Sequence, residues 1–226
     1  MDLRVISIGA LAANPFWNEK GAVRTGHATC TLVRTGKHAI IVDPGLPPTI
    51  IAARLNERTG LRAEDITHVF LTTFKPETMR GVMAFEKALW WIAQDEREGV
   101  GIPLVGALQK AAADGDDELR KHLEQDVAVL RRCEAAPDRL GEGVDLFPLP
   151  GVTPGCCGLL CTTPRTTTLI CGDAIPTVEH LERGQVLQSA VDVMKARESF
   201  GEAVEIADFL VPGRDNLSPS PVKRPF

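Results

Sequence analysis

The sequence predicts a single α/β domain with strands and helices alternating along the chain. Three observations carry this. The chain has 226 residues, 44% of them hydrophobic, enough to fill one core without a covalent staple. Short apolar, β-branched runs of strand length recur between longer segments with an apolar helical face. Gly/Pro/Asp turn signals separate them, and polar residues collect at strand ends, where α/β proteins gather ligands. No internal repeat or linker interrupts the pattern, so residues 1–216 read as one domain. The tail 217–226, "LSPSPVKRPF", is Pro/Ser-rich and reads as an extended, loosely held end.

Each element follows from its own residues. "LRVISIG" (3–9), "ATCTLVR" (28–34) and "HAIIVD" (38–43) are strands, the last closing in the turn "DPG". "PTIIAARLNERTG" is a helix, with Ile50, Ile51 and Leu55 on an apolar face and Gly60 as C-cap. "ITHVFLTT" (66–73) is a buried strand, which puts "LTTFKPETMRG" (71–81) in the loop beyond its end. "ALWWIA" (88–93) is favoured as a strand over a helix. Helices are expected over 103–113 and 117–134, the second with Leu119, Leu123, Val127 and Leu130 on one face. "VDLFPLPG" (144–151) returns to strand, and 157–161 with 166–171 forms a hairpin that runs into "GDA". A last helix spans roughly 190–207, and "DFLVPGRDN" (208–216) closes the fold.

The net charge is −5, from Lys+Arg 25 against Asp+Glu 30, which gives no electrostatic footprint for nucleic acid or an anionic membrane. The lack of tyrosine argues further against a base-stacking surface. Asp2 precedes and Arg4 interrupts the first apolar run, so it reads as a strand rather than a signal peptide. No run is long enough to span a bilayer. The six cysteines lie in apolar surroundings and are expected to be reduced thiols in a cytoplasmic protein.

The ordered landmarks "IVDPG", "LTTFKPETMRG", "LPGVTPG", "CGDA" and "VPGRD" resemble the metallo-β-lactamase fold superfamily over nearly the whole chain. That superfamily includes lactonases and glyoxalase II-type thioesterases. The resemblance implies a four-layer αββα sandwich whose pocket holds two zinc ions. Residue by residue, the family's metal-ligand positions fall on Thr73, Lys75, Glu77, Thr78, Val152, Asp173 and Arg214. All the ligand histidines of the pattern are replaced; Asp173 keeps its chemistry, and Glu77 keeps an acid of greater length.

Zinc requires imidazole, thiolate or carboxylate donors, and a lysine, an arginine and a valine supply none of these. The expectation is therefore that no metal and no cofactor binds. Lys75 and Arg214 would replace the missing positive charge beside Glu77 and Asp173, with Arg214 forming a bidentate pair with Asp173. Two other readings stay open: solvated loop charges, or an altered catalytic site using Lys75. The function expected is a binding, regulatory or assembly module that has lost dinuclear hydrolysis. The alternatives are a hydrolase of esters, thioesters or lactones with a rebuilt metal site, and a sensor that recognises a small anion through Lys75, Glu77, Asp173 and Arg214. The expected partner is a small anionic molecule or a protein. The other histidines match no ligand position, and the thiols lack zinc-knuckle spacing.

Overall fold

The apolar runs become strands and assort into two six-stranded sheets. The computed structural model describes residues 1–222. The first sheet holds β1 (Asp2–Ser7), β2 (Cys30–Thr35), β3 (His38–Val42), β4 (His68–Leu71), β5 (Leu89–Ile92) and β6 (Cys133–Ala135), side by side in chain order. Pairing is antiparallel from β1 to β3 and parallel from β3 to β6. Parallel strands need crossovers. These are α1 (Pro48–Thr59) before β4, the one-turn α2 (Pro76–Met79) before β5, and the hairpin of α3 (Gln94–Asp114) and α4 (Asp117–Arg132) before β6.

The second sheet runs β7 (Arg139–Gly141), β8 (Val144–Pro148), β9 (Cys157–Thr162), β10 (Thr167–Gly172), β11 (Phe209–Pro212) and β12 (Ser218–Pro219). Its one parallel pair, β10 with β11, is bridged by α5 (Val178–Arg183) and α6 (Val193–Ile206).

Burial separates the layers. Val33, Val42, Phe70 and Trp91 of the first sheet meet Val144, Leu159, Ile170 and Val211 of the second in the central core. The other face of the first sheet packs Ile41, Leu71 and Trp90 on Ile51, Leu55 and Leu130 of the helices. The outer face of the second sheet packs Leu169 and Leu210 on Ala203 and Leu181. This is the αββα sandwich, and truncating a fully buried side chain such as Phe70 to alanine would cost about 3–5 kcal/mol.

Several boundaries differ from the sequence reading. α3 starts at Gln94, not 103, because Asp95 and Glu96 open a first turn and Pro103 sits inside the helix instead of starting it. α5, β6 and β7 are too short to show a period. Ser218–Pro219 pairs with β11, and the Ser220 hydroxyl donates to the Val204 carbonyl at 2.7 Å, so this part of the tail is held to the sheet. Residues 223–226 of the tail lie outside the described residues.

Candidate functional site

Four strands end together, and the site is built from the residues just beyond them: Asp43 after β3, Thr72 to Thr78 after β4, Asp173 after β10 and Arg214 after β11. The approach is close. Gly172 has φ +53°, and a Cβ on it would meet the Thr72 hydroxyl at 2.5 Å, so only glycine brings Asp173 this near to β4.

Asp173 is the centre. Arg214 Nε donates to Oδ1 at 2.8 Å and Nη2 to Oδ2 at 2.9 Å, a bidentate pair, and Lys75 Nζ donates to Oδ2 at 3.1 Å. Asp173 and Arg214 are buried, and the Lys75 side chain is 26% exposed. Burial pushes the Asp173 carboxyl up, but the Arg214 and Lys75 charges and hydrogen bonds outweigh it and hold the group well below the usual carboxylate range. Burial works against the Arg214 charge too, yet Asp173 raises its pKa overall.

Asp43 lies beside this pair in a left-handed backbone conformation, φ 49°. Its Oδ1 accepts the Thr72 N–H at 2.8 Å and its Oδ2 the Thr72 hydroxyl at 2.6 Å. Burial raises its pKa from 3.8 to about 7, opposed by the Thr72 hydrogen bonds.

The remaining motif positions are scattered. Thr78 caps α2: its hydroxyl lies 2.7 Å from the Thr73 carbonyl and 2.9 Å from that of Lys75, and accepts the Lys75 N–H at 3.2 Å. The Thr73 hydroxyl is buried without a partner among the described residues. Val152 is buried in the turn before β9. Glu77 is half-buried and joins no ion pair or side-chain hydrogen bond among the described residues; it acts on Arg214 only through its charge.

Two neighbours lie outside the motif positions: Glu96, which the sequence reading missed, and His180, which it set aside as matching no ligand position. Glu96, fully buried in the first turn of α3, accepts the Phe74 N–H at 2.8 Å and the Gly155 N–H at 3.1 Å, tying both site loops to the helix. A Cβ on Gly155 would lie 1.9 Å from the Glu96 nitrogen, so that contact admits only glycine. His180, in α5, is buried against Phe16 at 4.7 Å, with Nδ1 2.9 Å from the Thr177 hydroxyl. Burial lowers its pKa against the pull of Glu179 and Asp173. No signal in the sequence marks the first: Glu96 stands in the charged run "QDERE", where nothing sets the buried acid apart from its neighbours.

An αββα sandwich with loops converging at the ends of β3, β4, β10 and β11 defines the class of this chain. It is the metallo-β-lactamase fold: the profile of the Metallo-beta-lactamase superfamily matches residues 23–72. A Thermotoga maritima protein assigned to the metallo-β-lactamases superposes with a TM-score of 0.70 at 17% identity, covering 96% of this chain and 98% of that one. AidC, a dizinc quorum-quenching lactonase, gives 0.62 at 17%, over 79% of this chain and 67% of its own. An N-acyl homoserine lactone hydrolase with its product at the catalytic metal centre gives 0.61 at 17%, over 90% and 86%. No curated protein sequence matches the chain.

These neighbours correct the expectation that no cofactor is used. AidC is a dizinc enzyme and the lactone hydrolase holds its product at a catalytic metal centre, so an expectation of no metal is not supported by these neighbours. In the arrangement present, the residues do not fit a zinc pair of the neighbours' kind. Both Asp173 oxygens accept from cations, Val152 has no lone pair, and no group of three or more His, Cys, Asp or Glu among the described residues is placed to hold a metal ion. No helix among the described residues is long and apolar enough to cross a membrane.

Proposed function

We propose that this metallo-β-lactamase-fold chain does not perform the dinuclear hydrolysis of its neighbours and works as a binding or assembly module. The observation that carries the reading is the bidentate Arg214–Asp173 pair with Lys75 on the same carboxylate. Metal-assisted hydrolysis requires a cage of lone-pair donors that keeps an open position for water, and here two cations occupy the central carboxylate instead. Breaking a buried pair by removing one partner costs roughly 3–5 kcal/mol, so the network resists rearrangement into such a cage.

The test is an assay of zinc-loaded protein on acyl homoserine lactones, thioesters and simple esters beside the Asp173→Asn variant. The expected result is equal, background turnover for both. Zinc-dependent turnover that Asp173→Asn abolishes restores the hydrolase reading.

A second reading is favoured by Lys75, which is partly exposed with N–H groups to spare, and by the unpartnered Thr73 hydroxyl nearby in sequence. Together with Glu77, Asp173 and Arg214 they would form a recognition site for a small anion. Calorimetric titration with short-chain carboxylates should then give heat that Lys75→Met removes.

A further inference from the structure

The loop between β1 and β2 is held to the body in two different ways. Its root is fixed by backbone. Ala28 N–H donates to the Glu77 carbonyl at 2.9 Å and Thr29 N–H to the Gly213 carbonyl at 2.7 Å, which ties the root to two loops of the Asp173 site. Its neck is a short ladder. Ala10 and His27 exchange N–H···O bonds of 2.9 and 3.0 Å, and Val23 N–H donates to the Ala12 carbonyl at 2.9 Å. Beyond the neck, no backbone hydrogen bond leaves residues 13–22 among the described residues.

The tip is braced internally. Glu19 accepts the Asn14 N–H at 2.7 Å and pairs with Arg24, and the Asn14 side chain accepts the Phe16 N–H at 3.0 Å over a single turn at Pro15–Trp17. The tip meets the body through side chains on α5. Trp17 Nε1 and Asn14 Nδ2 donate to the two oxygens of Glu179, at 2.9 and 3.5 Å. The Thr177 hydroxyl donates to the same carboxylate at 2.6 Å, so the acceptor is positioned from the α5 side. The Phe16 ring contacts His180, centroids 4.7 Å apart, and Arg183, whose guanidinium carbon stands 4.4 Å from the Phe16 centroid. Trp17 stays 57% exposed, so its indole hydrogen bond rather than burial fixes it. Beneath Phe16, His180 is buried and near enough to Asp173 to feel its charge.

We infer that residues 13–22 are a lid latched on α5 by Glu179, which swings open without unfolding the sandwich and bares His180 at the margin of the Asp173 site. Segments with few buried contacts open locally, and here one partly exposed carboxylate carries both polar links of the tip. The internal brace makes the tip move as a body about its neck. Nδ1 of His180 stays with the Thr177 hydroxyl, which leaves Nε2 as the nitrogen that opening presents. The lid is independent of what the Asp173 site binds.

Carbethoxylation of the full chain by diethyl pyrocarbonate at about pH 8, where an imidazole is uncharged, tests it when read residue by residue by mass spectrometry. In the wild type His180 is expected to react about 100-fold more slowly than His122, whose side chain is 61% exposed. Trp17→Phe removes the indole N–H from the lid, and Glu179→Ala removes its acceptor from the helix. Each is expected to speed His180 by about tenfold or more, the loss of a hydrogen bond to a charged group. The double variant should react no faster than Glu179→Ala alone. Alkylation of buried Cys171 should keep its wild-type rate in all three. A wild-type His180 as reactive as His122, or a His180 rate that neither variant changes, overturns the lid. Additive effects of the two substitutions overturn Glu179 as the latch. Cys171 labelling that accelerates in step with His180 overturns local opening, because the whole sandwich is then opening.

Discussion

Asp43 and Asp173 lie in one site, both buried and both one residue past a strand end, yet the environment drives them in opposite directions. Asp173 receives two cations and stays ionised far into acid. Asp43 receives only the N–H and hydroxyl of Thr72, and burial lifts it to about 7. Depth is equal, so depth does not decide the outcome. A partner of opposite charge does, and neutral donors compensate only in part. Part of the Asp43 shift comes from Asp173 itself, while Arg214 acts against it, so the three groups titrate as a set.

The largest expected effect comes from removing the partner that distinguishes the two. Arg214→Ala leaves Asp173 buried with Lys75 alone and should cost about 3–5 kcal/mol in urea unfolding. The same variant should move the Asp43 titration upward, since Arg214 no longer lowers it. A loss below about 1 kcal/mol would mean that the pair is no better than its solvated counterpart.

Next comes the pH dependence of Asp43. The folded chain holds this proton to about 7, whereas an unfolded aspartate releases it near 3.9. The folded state therefore binds more protons between those values, and stability falls as pH rises from about 4 to about 7. The drop should be on the order of 2–4 kcal/mol, and Asp43→Asn should flatten it. For Asp173 the sign is reversed: its contribution is present above the unfolded value and is lost only as acid reaches its low folded pKa.

Smaller effects follow. Glu96→Gln turns an acceptor into a donor facing Phe74 N–H or Gly155 N–H and should cost about 1–3 kcal/mol. Lys75→Met removes the partly exposed member of the network and should cost under about 1 kcal/mol, because solvent screens that pair. An equal loss for Lys75→Met and Arg214→Ala would erase the distinction between them.

Much of this was legible before the structure. The strand-ending turns "DPG", "GDA" and "VPGRD" are local signals, because glycine and proline restrict backbone geometry whatever the surroundings. Lys75, Asp173 and Arg214 could be brought together only through the resemblance, since 98 and 41 residues separate the partners. Glu96 stayed hidden for a different reason. Its partners are backbone N–H groups 22 and 59 residues away, and a backbone donor leaves no mark on residue type. The start of α3 was missed because Pro103 is an ordinary helix opener and here lies well inside the helix. Glu77 shows the limit of transferring a motif: its position follows the pattern while its carboxylate finds no partner in the cluster.

All six thiols are buried and free, and five of them lie in strands, divided between the two sheets. Cys30 and Cys133 belong to strands of the first sheet, Cys157, Cys161 and Cys171 to strands of the second. Burial raises those in the second sheet to about 12 or beyond, so none reacts readily while the strands stay closed. Alkylation then becomes a timer of opening. If both sheets label at one rate, the sandwich opens as one cooperative unit; if Cys171 and Cys30 diverge, one layer breathes without the other.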